Sequence, residues 1–148
     1  MRQKELVTIH DGNEVLRRVT GAFWWSEDPS ETPMLMAVVL EFDRTRVAFI
    51  VGDEDSLDPC DYQSFTSRHT CHQMVDITST HPWTEAIGLP LLWSWVMLNQ
   101  QGYNDGVQLE FSQDGGSVSV IVQMIGVASE VKIRHVSPGF ISMPRSAR

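Results

Sequence analysis

The sequence predicts an α+β fold, a mostly antiparallel sheet of about six strands packed on one dominant helix at about residues 90–101. Three observations carry that expectation. Short segments rich in β-branched and aromatic residues alternate with clusters of turn formers. One long apolar run opens on Pro90 and closes on Gly102. No internal repeat, low-complexity tract or linker interrupts the chain, so a single domain over 1–136 is expected, with 137–148 as a surface or frayed tail carrying Pro138, Gly139 and Pro144.

Each element follows from its residues. "EVLRRVTGAFWW", Glu14 to Trp25, reads as a strand ended by the turn-forming "SEDPSETP", Ser26 to Pro33. "MLMAVVLEF", Met34 to Phe42, is apolar at almost every position, as a central strand covered on both faces would be. Asp43 to Thr45 turns the chain, and "RVAFIVG", Arg46 to Gly52, returns as its hairpin partner. From Asp53 to Trp83 only the short "MVDIT", Met74 to Thr78, reads as a strand. Loops of that length inside a domain tend to be functional, so a site is sought there first.

Pro90 suits a first helical turn, and the helix is expected to run through "LLWSWVMLNQQ" to Gln101, with Gly102 in the left-handed position beyond it and Tyr103 packing back on Leu98 or Met97. Such a helix is apolar nearly all round and needs a second cover, from the irregular region or from another subunit. Asn104 to Gly106 then reads as a turn, Val107 to Phe111 as a half-buried strand, Gln113 to Gly116 as a turn, and Ser117 to Ile125 and Ser129 to Val136 as the last strands.

Charge is unevenly distributed. Between Glu27 and Asp61 stand ten acids against Arg44 and Arg46, which accounts for the whole net charge of −8 in a chain of 148 residues. Such a surface repels a phosphate backbone, so nucleic acid is not an expected partner. A basic protein is. The longest apolar stretch, around Leu89 to Leu98, is about half of what a bilayer crossing requires, so no membrane span is expected. No apolar leader follows Met1, and the two cysteines suggest no disulfide framework, so a reduced cytoplasmic setting is expected.

The sequence offers several candidate sites. Asp53, Glu54, Asp55, Asp58 and Asp61 would steer a basic partner, while Trp24 or Trp25 would supply desolvated contact area, one of that adjacent pair being less buried than the other. Cys60, His69, Cys71 and His72, with His81 further on, carry zinc-binding atoms, but without the paired Cys-x2-Cys spacing of a structural site. "DEDSLDPCD" lacks the EF-hand pattern, since Leu57, Asp58 and Ser64 occupy positions five, six and twelve. Glu41, Asp76, Glu85 and Asp105 are acids that a fold could bring together for hydrolysis. No nucleophile elbow, phosphate-binding glycine loop or dinucleotide fingerprint occurs. No residue is therefore assigned a catalytic role and no cofactor is expected.

The run "IGLPLLWSWVMLNQQGYNDGVQLEF", with Trp93, Trp95, Asn99, Gln101, Gly102, Tyr103 and Asp105, resembles a small uncharacterised bacterial family of single-domain proteins, as do the "WW" pair and "GDEDSLD". That resemblance implies a bacterial cytoplasmic protein and no particular activity. In size and charge the chain is also similar to bacterial immunity proteins, which neutralise toxins by binding them. The expected function is a non-enzymatic protein-binding module, immunity-like in that sense, with a second copy of the chain as a further candidate partner. The alternative is a metal-dependent enzyme or zinc-stabilised domain built on the Cys60 to His72 region.

Overall fold

The predicted hairpin over 34–52 is present, and it lies at the centre of the larger of two sheets. The structure, a computed structural model, describes residues 4–52, 55–68, 73–113 and 119–136, with the backbone alone for 66–68. In chain order the elements are α1 (Lys4–Asp11), β1 (Leu16–Trp24), β2 (Met34–Phe42), β3 (Arg46–Val51), β4 (Leu57–Asp61), α2 (Tyr62–Arg68), β5 (Gln73–Asp76), α3 (Trp83–Ala86), β6 (Leu91–Leu98), β7 (Asn104–Ser112), β8 (Ser119–Val127) and β9 (Glu130–Val136). The first sheet has the order β4-β3-β2-β1-β5 and the second β6-β7-β8-β9, with every pairing antiparallel.

The main core lies between the sheets. Val19, Val38, Leu40, Val47 and Phe49 from the first sheet meet Val107, Leu109, Phe111, Val122 and Met124 from the second, all of them buried. Alternation along each strand puts these residues on one face. The other face of the first sheet carries Ala22, Ala37, Val39 and Ala48, small residues that let Phe65 of α2 sit close. β2 is thus covered on both faces, as its unbroken apolar run predicts. Leu6 and Ile9 of α1 and Trp83 of α3 complete the main core.

The dominant helix expected over 90–101 does not form. That segment is the edge strand β6, and the helices are short ones elsewhere: α1, α2 and α3. An apolar run of eight residues fits a strand or a buried helix turn equally by periodicity, and β-branched and aromatic content decides between them. Trp93, Trp95 and Val96 favour a strand. Gly102 does take the left-handed conformation, with φ of 83°, but in the turn between β6 and β7. There Asn99 accepts hydrogen bonds at its side-chain oxygen from the Gln101 and Tyr103 amides, at 2.9 and 3.1 Å, doing the work assigned to a helix end. The sequence also concealed β4, whose Leu57 and Pro59 face the core from within the acidic run. The expected tail, 137–148, lies outside the described residues.

Turns at the sheet ends are fixed by buried or capping carboxylates. Glu14, only 2% exposed, accepts hydrogen bonds from the Arg44 amide at 2.6 Å, the Thr45 amide at 2.9 Å and the Thr45 hydroxyl at 2.6 Å. The end of α1 is thereby tied to the β2–β3 turn.

Candidate functional site

Antiparallel pairing sorts the first sheet by chemistry. The end of β1, the start of β2, the end of β3 and the start of β4 lie together, because Trp24 pairs with Met34, Ala37 with Ile50 and Val51 with Leu57. That end carries Trp24 and Trp25, 44% and 53% exposed, the exposed acids Glu27, Asp28 and Glu31 of the β1–β2 loop, and Asp55 and Asp58. Arg17, Arg18, Arg44 and Arg46 gather toward the opposite end, where the β2–β3 turn lies and Arg18 and Arg46 flank Glu41 in register. The exposed tryptophans therefore lie away from the arginines of this sheet, of which Arg17, Arg18 and Arg46 are paired with Glu41, Asp43 and Asp76.

The predicted acids divide between these ends and between roles. Asp53 and Glu54 lie outside the described residues. Asp55, with φ of 59°, accepts hydrogen bonds from the Ala128 and Ser129 amides at 3.1 and 2.7 Å, joining the β3–β4 connection to the β8–β9 turn. Asp58 accepts from the Ser56 hydroxyl at 3.0 Å and is exposed. Asp61 stands at the arginine end, paired in register with Val47. It caps α2, accepting from the Ser64 amide at 2.9 Å and the Ser64 hydroxyl at 2.7 Å, and these bonds hold its carboxyl below the ordinary carboxylate range. In the β1–β2 loop, Asp28 is lowered in the same way by the Ser30 amide and hydroxyl. Both tryptophans are exposed because Trp25 lies beyond the last paired residue, where alternation no longer dictates a buried side.

Of the zinc candidates, Cys60 sits half-buried on β4 opposite Ala48, and His69, Cys71 and His72 lie outside the described residues. Among the described residues no three His, Cys, Asp or Glu side chains stand close enough to share a metal ion. His81 meets Glu85 at 2.8 Å and stands edge-on to His135, with ring centres 5.2 Å apart. Glu41 and Asp76 do converge, but on the guanidinium of Arg18.

One surface went unread in the sequence. On the outward face of the second sheet, Trp93 and Trp95 are 56% and 44% exposed and stand opposite Glu110 and Gln108 of β7. His10 of α1 stacks on Trp93 at 5.9 Å beside a cleft of about 160 Å³. The spacing of two, Trp93 to Trp95, was the available signal of outward-facing strand positions.

A family profile described as a family of unknown function, DUF6334, matches residues 7–139. The chain belongs to that family. The match takes in both sheets and all but the first residues of α1, which agrees with the resemblance carried by the β6–β7 segment. No curated protein and no solved structure gives a significant match. No helix among the described residues is long and apolar enough to cross a membrane.

Proposed function

We propose that the chain is a non-enzymatic protein-binding module that docks a basic segment of another protein on the acidic, tryptophan-bearing end of its first sheet. The observation that supports this reading is the exposed tryptophan pair beside acids that no described arginine of the sheet reaches. Trp24 and Trp25 stand exposed beside Glu27, Asp28 and Glu31, while the arginines of the same sheet lie toward its far end. Exposed tryptophan is a costly surface residue and a favoured interface anchor, and like-signed charge around it accelerates encounter with a partner of opposite sign. Asp61 stands at the arginine end and Asp55 is half-buried against the β8–β9 turn, so the steering role passes chiefly to the β1–β2 loop and Asp58.

Binding of lysine- and arginine-rich peptides, followed through the indole resonances of the isotopically labelled chain, tests the reading. Saturable shifts at Trp24 and Trp25, weakened by salt and by the triple variant E27Q/D28N/E31Q, are expected. Shifts distributed equally over Trp93 and Trp95, or binding unchanged in the triple variant, would refute it.

A further inference from the structure

The outward face of the second sheet is ordered by strand register. Trp95 pairs with Gln108, Gln108 with Gln123 and Gln123 with Arg134, so these four stand in one row across the sheet. In the next row Met97 pairs with Gly106, Gly106 with Ile125 and Ile125 with Lys132. The Gln123 side-chain amide donates to the Gln108 side-chain oxygen at 3.1 Å and to the Met97 sulfur at 3.4 Å, which fixes these side chains on a single face. That face runs from an aromatic edge, Trp93 and Trp95 on β6, to a cationic edge, Lys132 and Arg134 on β9.

Its cover is incomplete. On the first sheet the outer face is closed by Phe65 of α2. Among the described residues no helix does the same for the second, since α1 meets it at the β6 edge and Trp83 of α3 lies in the core between the sheets. Ile121 and Ile125 are only half-buried, and Trp93, Trp95 and Val127 are 56%, 44% and 45% exposed. A contiguous apolar patch of this kind marks an interaction surface. The charges on it balance, Glu110 and Glu130 against Lys132 and Arg134, on a chain whose net charge is −8. Like copies of an acidic chain repel one another, and least where their charges cancel. Four strands about 4.8 Å apart, over about seven residues rising about 3.3 Å each, make a face of about 19 by 23 Å, so a closed pair removes roughly 1,000 Å² from water in all, the lower limit for specific association.

We propose that this face is the contact surface of a homodimer, closed by a second copy of the chain packed sheet on sheet about a twofold axis that runs along the strands between β7 and β8. This axis lays β6 of each copy over β9 of the other, and β7 over β8. The indoles of Trp93 and Trp95 then cover the Lys132 and Arg134 side chains of the second copy, cation over ring, at both edges of the interface. Ile121 and Ile125 lie at its centre, where water is excluded. A twofold axis across the strands would instead set each cationic edge on its own copy, so charge selects the axis along them.

Sedimentation equilibrium of the full chain from about 1 μM to about 1 mM gives its mass as a function of concentration. A monomer–dimer equilibrium within that range is expected. Mixed samples of isotopically labelled and unlabelled chain should show contacts between the Trp95 indole and the Arg134 side chain, which stand three strand spacings, about 14 Å, apart within one copy. W95A and R134E should each raise the dissociation constant by roughly tenfold or more, as the loss of an interface anchor does, whereas W24A, at the end of the first sheet, should leave it unchanged. Arg134 is exposed, so R134E reads the interface even where W95A fails to fold. A mass that stays monomeric at the highest concentration, a dimer that neither W95A nor R134E weakens, or one that W24A abolishes, overturns the proposal.

Discussion

Replacing Glu14 tests how the structure closes the arginine end of the first sheet. Its carboxylate is 2% exposed and accepts from two backbone amides and one hydroxyl across the β2–β3 turn. In E14A those donors lose their acceptor, and each lost hydrogen bond to a charged group is worth about 1.5–3 kcal/mol. The site is only partly enclosed, so water recovers a share, and a net loss of about 3–5 kcal/mol is expected. Against a total stability of roughly 5–15 kcal/mol for a domain, that is a large fraction. E14Q keeps an oxygen for the two amides and should lose only about 1–2 kcal/mol. Urea unfolding monitored by tryptophan fluorescence gives both values, with the midpoint moving and the slope unchanged. If E14A unfolds within about 0.5 kcal/mol of the parent, the range of an ordinary surface substitution, Glu14 does not anchor the turn and the reasoning is wrong.

Further expectations concern the opposite end and the acids. A β-carbon at Gly126 would overlap the Asp55 carbonyl oxygen, so G126A should destabilise by about 1–3 kcal/mol in the same unfolding assay, and a neutral effect would show that the two turns are not in contact. D55A loses both amide bonds and strains a left-handed backbone, so it should destabilise by about 1–2 kcal/mol, whereas D55G relieves the strain and should lose less; the reverse order would contradict the capping role. Asp28, Asp43, Asp61 and Glu85 all have depressed carboxyl pKa values, so the stability they contribute is present above their unfolded values near 4 and is lost as pH falls through the lower folded values. Acid unfolding of D61N should accordingly start from a lower plateau and show a shallower decline below about pH 4, and a curve parallel to the parent's would remove Asp61 from the account.

The predicted strands of the central hairpin were legible because local pattern and tertiary environment agree there. Met34 to Phe42 reads as a doubly covered strand and is one, with Ala37 to Leu40 buried on both faces. β4 was hidden because its charged residues, Asp58 and Asp61, are exposed and dominate the composition, while the two that matter for packing, Leu57 and Pro59, are few. The same acids looked like one binding loop by sequence proximity. The strand that joins them carries Asp58 and Asp61 to different ends of the sheet.

By itself, the sequence determined roughly where most strands lie, that they pair mostly antiparallel, and that the excess negative charge lies between Glu27 and Asp61. These follow from side-chain period, turn formers and charge, all properties of neighbouring residues. The sequence also predicts one sheet of about six strands where the described residues form two, and a turn at Asn104 to Gly106 where β7 begins. Only the tertiary structure decided that Leu91 to Leu98 is an edge strand, because an eight-residue apolar run takes whichever form its neighbours can bury and pair. It alone decided that Trp24 and Trp25 share an end with the acidic β1–β2 loop, and that Trp93 and Trp95 share one face with Lys132 and Arg134. Register between strands distant in sequence sets both, and no local pattern encodes it.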